Sequence, residues 1–137
     1  MRVLIDTNIL IDIMTRRNST SNDAFNVLQM CHDKVMEGFV APHSLSNLYY
    51  FLRNEYSDSE RREYLDSICR VMTVVPTDNK LISEAIFMTF IPDFEDALQY
   101  ACAEAVDADY IVTRDLRGYP GTVIPAITPS ALLQLVA

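Results

Sequence analysis

The chain opens on Val3-Leu4-Ile5, an aliphatic run that stops abruptly at Asp6-Thr7-Asn8, the pattern of a strand buried on both faces. Ile9-Leu10-Ile11 then predicts the start of a helical turn. Between Ser21 and Glu37 the apolar residues Ala24, Phe25, Val27, Leu28, Cys31 and Val35 recur near helical spacing, and Gly38 supplies a stop. Phe39-Val40-Ala41 reads as a second strand. His43 to Tyr56 reads as a helix with Leu45, Leu48, Tyr49, Leu52 and Tyr56 on one stripe. A further helix is predicted from Asp58, its expected cap, to about Arg70. Val71 to Val75 reads as a strand, and Asn79 to Met88 and the alanine-rich Asp93 to Val106 as helices. Tyr110-Ile111-Val112 is a strand running into Thr113-Arg114-Asp115. Val123-Ile124 is a shorter one, and Pro129 to Val136 a closing helix with its proline in the first turn. Strands alternating with helices predict an α/β fold, a largely parallel sheet with helices on both faces.

Composition narrows this picture. With 137 residues, half of them hydrophobic and 22% charged, the chain has the balance of an ordinary globular domain. Three glycines, no Ser/Pro-rich linker and no fixed-period repeat leave nothing to mark a boundary, so residues 1–137 are read as one domain. The longest apolar runs are about half of what crosses a bilayer, and the N-terminus lacks a cleavable signal pattern, so a cytoplasmic protein is expected. Cys31, Cys69 and Cys102 are odd in number and far apart, which suggests three buried thiols rather than disulfides or a zinc site. The net charge of −8 argues against a surface that grips nucleic acid through many phosphate contacts. A phosphate substrate would need a divalent cation held in an acidic pocket.

Two predicted strands end in aspartate: Asp6 follows the first, and Asp115 follows Tyr110 to Arg114. In a parallel sheet both carboxylates reach the edge where ligands bind, beyond the carboxyl ends of the strands near the switch in strand order. Asp96 lies in the first turn of the Asp93-Phe94-Glu95-Asp96 helix. Converging carboxylates raise one another's pKa and call for a cation. Aspartates without nearby His or Cys suit Mg²⁺ or another hard ion, and so metal-assisted phosphodiester hydrolysis.

Val3 to Leu10, Asp93 to Gln99 and Ala108 to Asp115 resemble, in order and spacing, the three signature segments of PIN-domain ribonucleases. The resemblance runs from the first residues to the last helix, and the length is similar to the free-standing toxins of bacterial VapBC toxin–antitoxin pairs. It implies a three-layer PIN-like fold with about five parallel strands and an endoribonuclease that uses Mg²⁺ or Mn²⁺. It also implies a homodimer, and a cognate antitoxin laid over the acidic cleft. Of four acidic positions, the first, third and fourth map onto Asp6, Asp96 and Asp115. The second, usually glutamate, maps onto Asn47, which can offer a carbonyl oxygen but neither charge nor a general base. A missing carboxylate should weaken metal binding, which keeps open a second reading: a PIN-like module that binds RNA or protein without cleaving. Asp93 and Glu95 are candidates to compensate as ligands: Asp93 is one turn from Asp96, while Glu95 points about 100° round the helix and is the poorer choice. Thr7, Asn8, Ser44 and Thr113 are expected to orient the carboxylates, and Arg114 and Arg117 to touch RNA phosphates.

Simpler roles stand beside these. Strand-end aspartates often cap helices, and Asp93 reads equally well as an N-cap. His32 and His43 read as surface or capping residues, and Tyr49, Tyr50, Phe51 and Tyr56 as core or interface packing. Aspartyl-phosphate or receiver-type chemistry also places aspartates at strand ends. No lysine follows a strand suitably, however, and no Gly/Thr-rich loop follows Asp6.

Overall fold

The computed structural model describes residues 1–17 and 19–137. The strands are β1 (Arg2–Ile5), β2 (Glu37–Val40), β3 (Thr73–Val74), β4 (Tyr110–Val112) and β5 (Ala126–Ile127). The helices are α1 (Thr7–Thr15), α2 (Ser21–His32), α3 (Pro42–Phe51), α4 (Asp58–Val71), α5 (Asn79–Ile86), α6 (Phe94–Ala105) and α7 (Pro129–Val136), with 3₁₀ turns at Leu52–Asn54 and Leu116–Gly118. All strand pairs are parallel, in the order β3-β2-β1-β4-β5. The expected α/β architecture is present, with its switch in strand order between β1 and β4.

Strand alternation divides the core. Leu4, Phe39 and Ile111 point to one face, where they pack with α5 and α6 residues such as Leu81, Ala101 and Cys102. Val3, Ile5, Val40 and Val112 point to the other and meet Leu10, Val27, Leu48, Ile68 and Leu132. Short aliphatic strands buried on both faces are what a parallel sheet between helical layers requires.

Several boundaries fall elsewhere than the sequence pattern suggests. Helix α2 ends at His32 rather than Glu37, because Lys34 takes a left-handed conformation (φ 60°) and the chain closes on itself. Val35 N–H donates to the Met30 carbonyl at 2.9 Å and Lys34 N–H to the Cys31 carbonyl at 3.2 Å. This is the helix stop usually made with glycine. Gly38 instead sits inside β2, where a Cβ would lie 2.8 Å from Cys31 Sγ. Helix α4 is capped by Ser57, not Asp58, through a reciprocal box with Glu60. Val71 belongs to α4, which leaves β3 two residues long. The last strand is Ala126–Ile127 rather than Val123-Ile124. The Tyr100 hydroxyl accepts from the N–H groups of Val123 and Ile124, and Thr122 Oγ1 donates to the Ile124 carbonyl, which tie that stretch into a turn. Cys31 and Cys102 are buried as expected, but Cys69 is exposed. Tyr49 and Tyr56 are partly buried, whereas Tyr50 and Phe51 face solvent and so are not core, the first of the two packing roles expected of them. Among the described residues no helix is long and apolar enough to cross a membrane.

Candidate active site

The Asp6 N–H donates to the Val112 carbonyl at 2.9 Å, which extends the β1–β4 pairing by one residue and sets Asp6 beside Thr113. The Thr113 hydroxyl donates to Asp6 Oδ2 at 2.9 Å and the Tyr119 hydroxyl to the same oxygen at 3.0 Å. Gln99 Nε2 approaches Oδ1 at 3.5 Å. Asp6 is only 8% exposed, and burial raises its pKa against the opposing effect of the Thr113 and Tyr119 hydrogen bonds. It occupies the N-cap position of α1 without making a side-chain cap bond, so the simple capping role does not account for it.

Thr7, Ser44 and Gln99 form a buried polar cluster behind Asp6. Gln99 Nε2 donates to Ser44 Oγ at 2.7 Å and approaches Thr7 Oγ1 at 3.3 Å, and the Thr7 hydroxyl donates to Ser44 Oγ at 2.7 Å. Asn8 works on the other strand end. Its Nδ2 donates to Thr113 Oγ1 at 3.2 Å, and its Oδ1 accepts the Arg114 N–H at 3.1 Å. All four residues expected to orient carboxylates therefore stand in one network around Asp6. Gln99 and Tyr119 were not foreseen. Gln99 lies three residues after Asp96, the spacing that shares a helix face, but its burial belongs to the folded chain and nothing in the sequence marks it.

Asp6, Asn47, Glu95, Asp96 and Asp115 line one cavity of about 380 Å³ at the switch point. Asp96 comes from the first turn of α6, and its pKa is pushed up to about 6, chiefly by burial and then by repulsion from Asp6, Asp93, Glu95 and Asp115. Gly118 backs directly onto it: a Cβ there would meet Asp96 Oδ2 at 2.9 Å. Asp115 both lines the cavity and caps the following 3₁₀ turn, accepting from Arg117 N–H at 3.2 Å. Asp93, favoured from its spacing, serves as the N-cap of α6, accepting from Asp96 N–H at 3.0 Å, and does not line the cavity. Glu95, the poorer choice from its spacing, does line it beside Asp96.

The arginines split. Arg114 Nη1 holds Asp12 Oδ1 at 3.0 Å, and Asp12 is 2% exposed, so this guanidinium is engaged by a buried carboxylate rather than free for phosphate. Arg117 is exposed and touches only Asp115, at 3.3 Å. His43, read as a surface residue, is half-buried. Burial lowers its pKa while the charge of Asp6 opposes this, and its Nε2 has no partner among the described residues. His32 is exposed beside Asp33, as expected.

The donor set fits a hard cation: its carboxylates and the Asn47 amide offer oxygens to one cavity, and the Asp96 pKa is raised by burial first and then by the neighbouring carboxylates. Among the described residues no three His, Cys, Asp or Glu side chains are drawn tightly enough together to hold an ion on their own. Mg²⁺ does not require that, since it commonly takes one or two carboxylates and keeps several waters.

A parallel sheet with this strand order, carrying an acidic cavity at its switch point, defines the class: an α/β domain that gathers carboxylates beyond the carboxyl ends of its central strands. The profile of the PIN domain matches residues 2–117, and the chain belongs to that family. Solved structures share the fold at low identity. VapBC-1 from nontypeable Haemophilus influenzae aligns with a TM-score of 0.70 and 14% identity over 95% of this chain and 99% of its own. VapBC2 from Rickettsia felis, bound to a DNA fragment from its promoter, gives 0.69 and 15% over 92% and 96%. Mycobacterium tuberculosis VapC20, a Sarcin-Ricin loop cleaving toxin, gives 0.63 and 13% over 84% and 91%. No curated protein sequence matches the chain.

Proposed function

We propose that this PIN domain is a metal-dependent endoribonuclease and the toxin of a toxin–antitoxin pair, acting in the cytoplasm as a homodimer. The observation that carries the reading is the gathering of Asp6, Asp96, Asp115 and Glu95 on one cavity, with the Asp96 carboxyl held far above its ordinary range. Asp6, Asp96 and Asp115 would hold Mg²⁺ or Mn²⁺, with Glu95 supplying the charge that Asn47 does not. When bound, such an ion polarises the scissile phosphate and lowers the pKa of its water. The chain's own part is positional. Thr113 and Tyr119 fix the Asp6 carboxylate, the Thr7–Ser44–Gln99 cluster fills the space behind it, and Asn47 offers an amide to a water or phosphate oxygen. Similarity to toxins, two of them from VapBC pairs, supports a protein partner here too, one able to present an Arg to the acidic cavity.

The test is incubation of the purified protein with structured and single-stranded RNA in Mg²⁺, Mn²⁺ or EDTA, beside Asp6→Asn. Cleavage that needs the ion and Asp6 supports the reading. Metal-independent cleavage, or none at all, overturns it. A second reading, RNA or protein binding without cleavage, is favoured by two observations: Asn47 at the usual glutamate position, and an Asp6 already satisfied by neutral donors. Metal-dependent RNA binding without cut product would select it.

A further inference from the structure

The acidic cavity has an apolar wall that the cleavage chemistry leaves unused. Helix α3 lends it Asn47, Tyr50 and Phe51, positions i, i+3 and i+4 that share one helical face, and Ile11 of α1 adds to the apolar side. Neither aromatic ring is core, since Tyr50 is 64% and Phe51 46% exposed. The Arg53 guanidinium lies over the Tyr50 ring, 3.8 Å from its centre, and Arg53 Nη1 donates to the Tyr50 carbonyl at 2.9 Å. Carboxylates thus face exposed aromatic surface across the opening, with one planar cation stacked on a face of the Tyr50 ring.

We infer that Tyr50 and Phe51 form a stacking subsite for an unpaired nucleobase of single-stranded RNA, placing the adjoining phosphate against the acidic side. The inference rests on the RNA-cutting reading and names its substrate class. A chain of net charge −8 has little to offer phosphates through counterion release, so affinity must come from elsewhere. Aromatic stacking supplies it without regard to charge and accepts any base, since every base has a π-face. It also demands a base freed from a helix, because a paired base has both faces covered by its neighbours. The guanidinium stacked on one face of Tyr50 backs the ring, leaves its other face for a base, and carries a positive charge toward the strand's sugar–phosphate edge.

The probe is a hexaribonucleotide carrying one 2-aminopurine, whose fluorescence falls on stacking, titrated with the protein in Ca²⁺. Wild type should quench it, Tyr50→Phe should retain quenching, and Tyr50→Ala and Phe51→Ala should each lose quenching and bind roughly tenfold or more weakly. Wild type should bind the same oligomer with an abasic site at that position as weakly as Tyr50→Ala binds the intact one, and pairing the oligomer to its complement should abolish the signal. Thermal unfolding of the variants checks that these solvent-facing substitutions leave the fold intact. Equal binding by wild type and both alanine variants, with RNA still cut in Mg²⁺, overturns the subsite and leaves the nuclease reading standing. Absence of both binding and cleavage by wild type removes both. Unchanged RNA binding in variants that lose self-association assigns the wall to protein contact and overturns the subsite as well.

Discussion

At Asp6 two hydroxyl groups do part of what a cation would do. Tyr119 and Thr113 both donate to Oδ2, and burial first, then the neighbouring carboxylates, raise the Tyr119 pKa, so it stays a donor at any working pH. Tyr119→Phe leaves Asp6 one donor short. Without metal this should cost about 1–2 kcal/mol of stability, and Mn²⁺ should restore more stability to the variant than to wild type. Equal Mn²⁺-induced shifts in Tm for the two proteins would show that the hydroxyl and the ion do not compete. Asn47→Glu adds a hard anionic oxygen to the cavity and should tighten Mn²⁺ binding measured by calorimetry. An unchanged affinity would mean that Glu95 already fills that role. Asp96 gives a pH signature. Its folded pKa of about 6 lies above the ordinary 3.8, so its contribution to stability is fully present below about pH 4 and is lost as pH rises through about 6. In EDTA, Asp96→Asn should therefore be more stable than wild type at pH 7.5, by about 1 kcal/mol once screening at this half-exposed site is allowed for. The difference should vanish near pH 4. The three aspartates were legible from sequence because strand ends and a helix start mark themselves locally. Gln99 and Tyr119 were not, because they meet Asp6 across 93 and 113 residues and nothing in their own neighbourhoods announces it.

Among the elements, the close fits decide where helices stop and which loops hold. The stop of α2 was misplaced because Lys34, not Gly38, adopts the left-handed turn; glycine was needed a few residues later, where β2 passes against α2. Gly38→Ala sets a Cβ against Cys31 Sγ at 2.8 Å and Met72 Cγ at 3.2 Å, and should lower stability by about 1–3 kcal/mol in denaturant titration. A loss below 0.5 kcal/mol would show that both side chains simply step aside. The pair Arg114–Asp12 ties the loop after β4 to α1, and Thr20 adds a hydrogen bond to Asp12 at 3.3 Å. Arg114→Ala strands a buried carboxylate and should cost about 3 kcal/mol, the low end for such a loss because the arginine is partly exposed. Its effect on RNA affinity should be seen only through that loss of structure. The sequence pattern sets the last strand three residues early because Val123-Ile124 has the right side chains. What excludes it is the capture of its backbone by Tyr100, an interaction that only the folded chain contains.

For the molecule as a whole, alternating strands and helices were enough to read the parallel sheet and its two helical layers, since burial on both faces of so short a strand permits little else. The strand order was not readable from that alternation; it is seen directly in the pairing of β1 with both β2 and β4. That central position governs when the protein can act. The first acidic residue is held by groups from residues 113 and 119, and the cavity closes only when Gly118 settles against Asp96. A ribosome that has delivered the first hundred residues has made α1 to α5 and most of α6 but no finished site. For a domain that cuts RNA as proposed, no half-made nuclease would work beside the ribosome still synthesising it, because the site waits for residues 113 to 119 to join the strand that was made first.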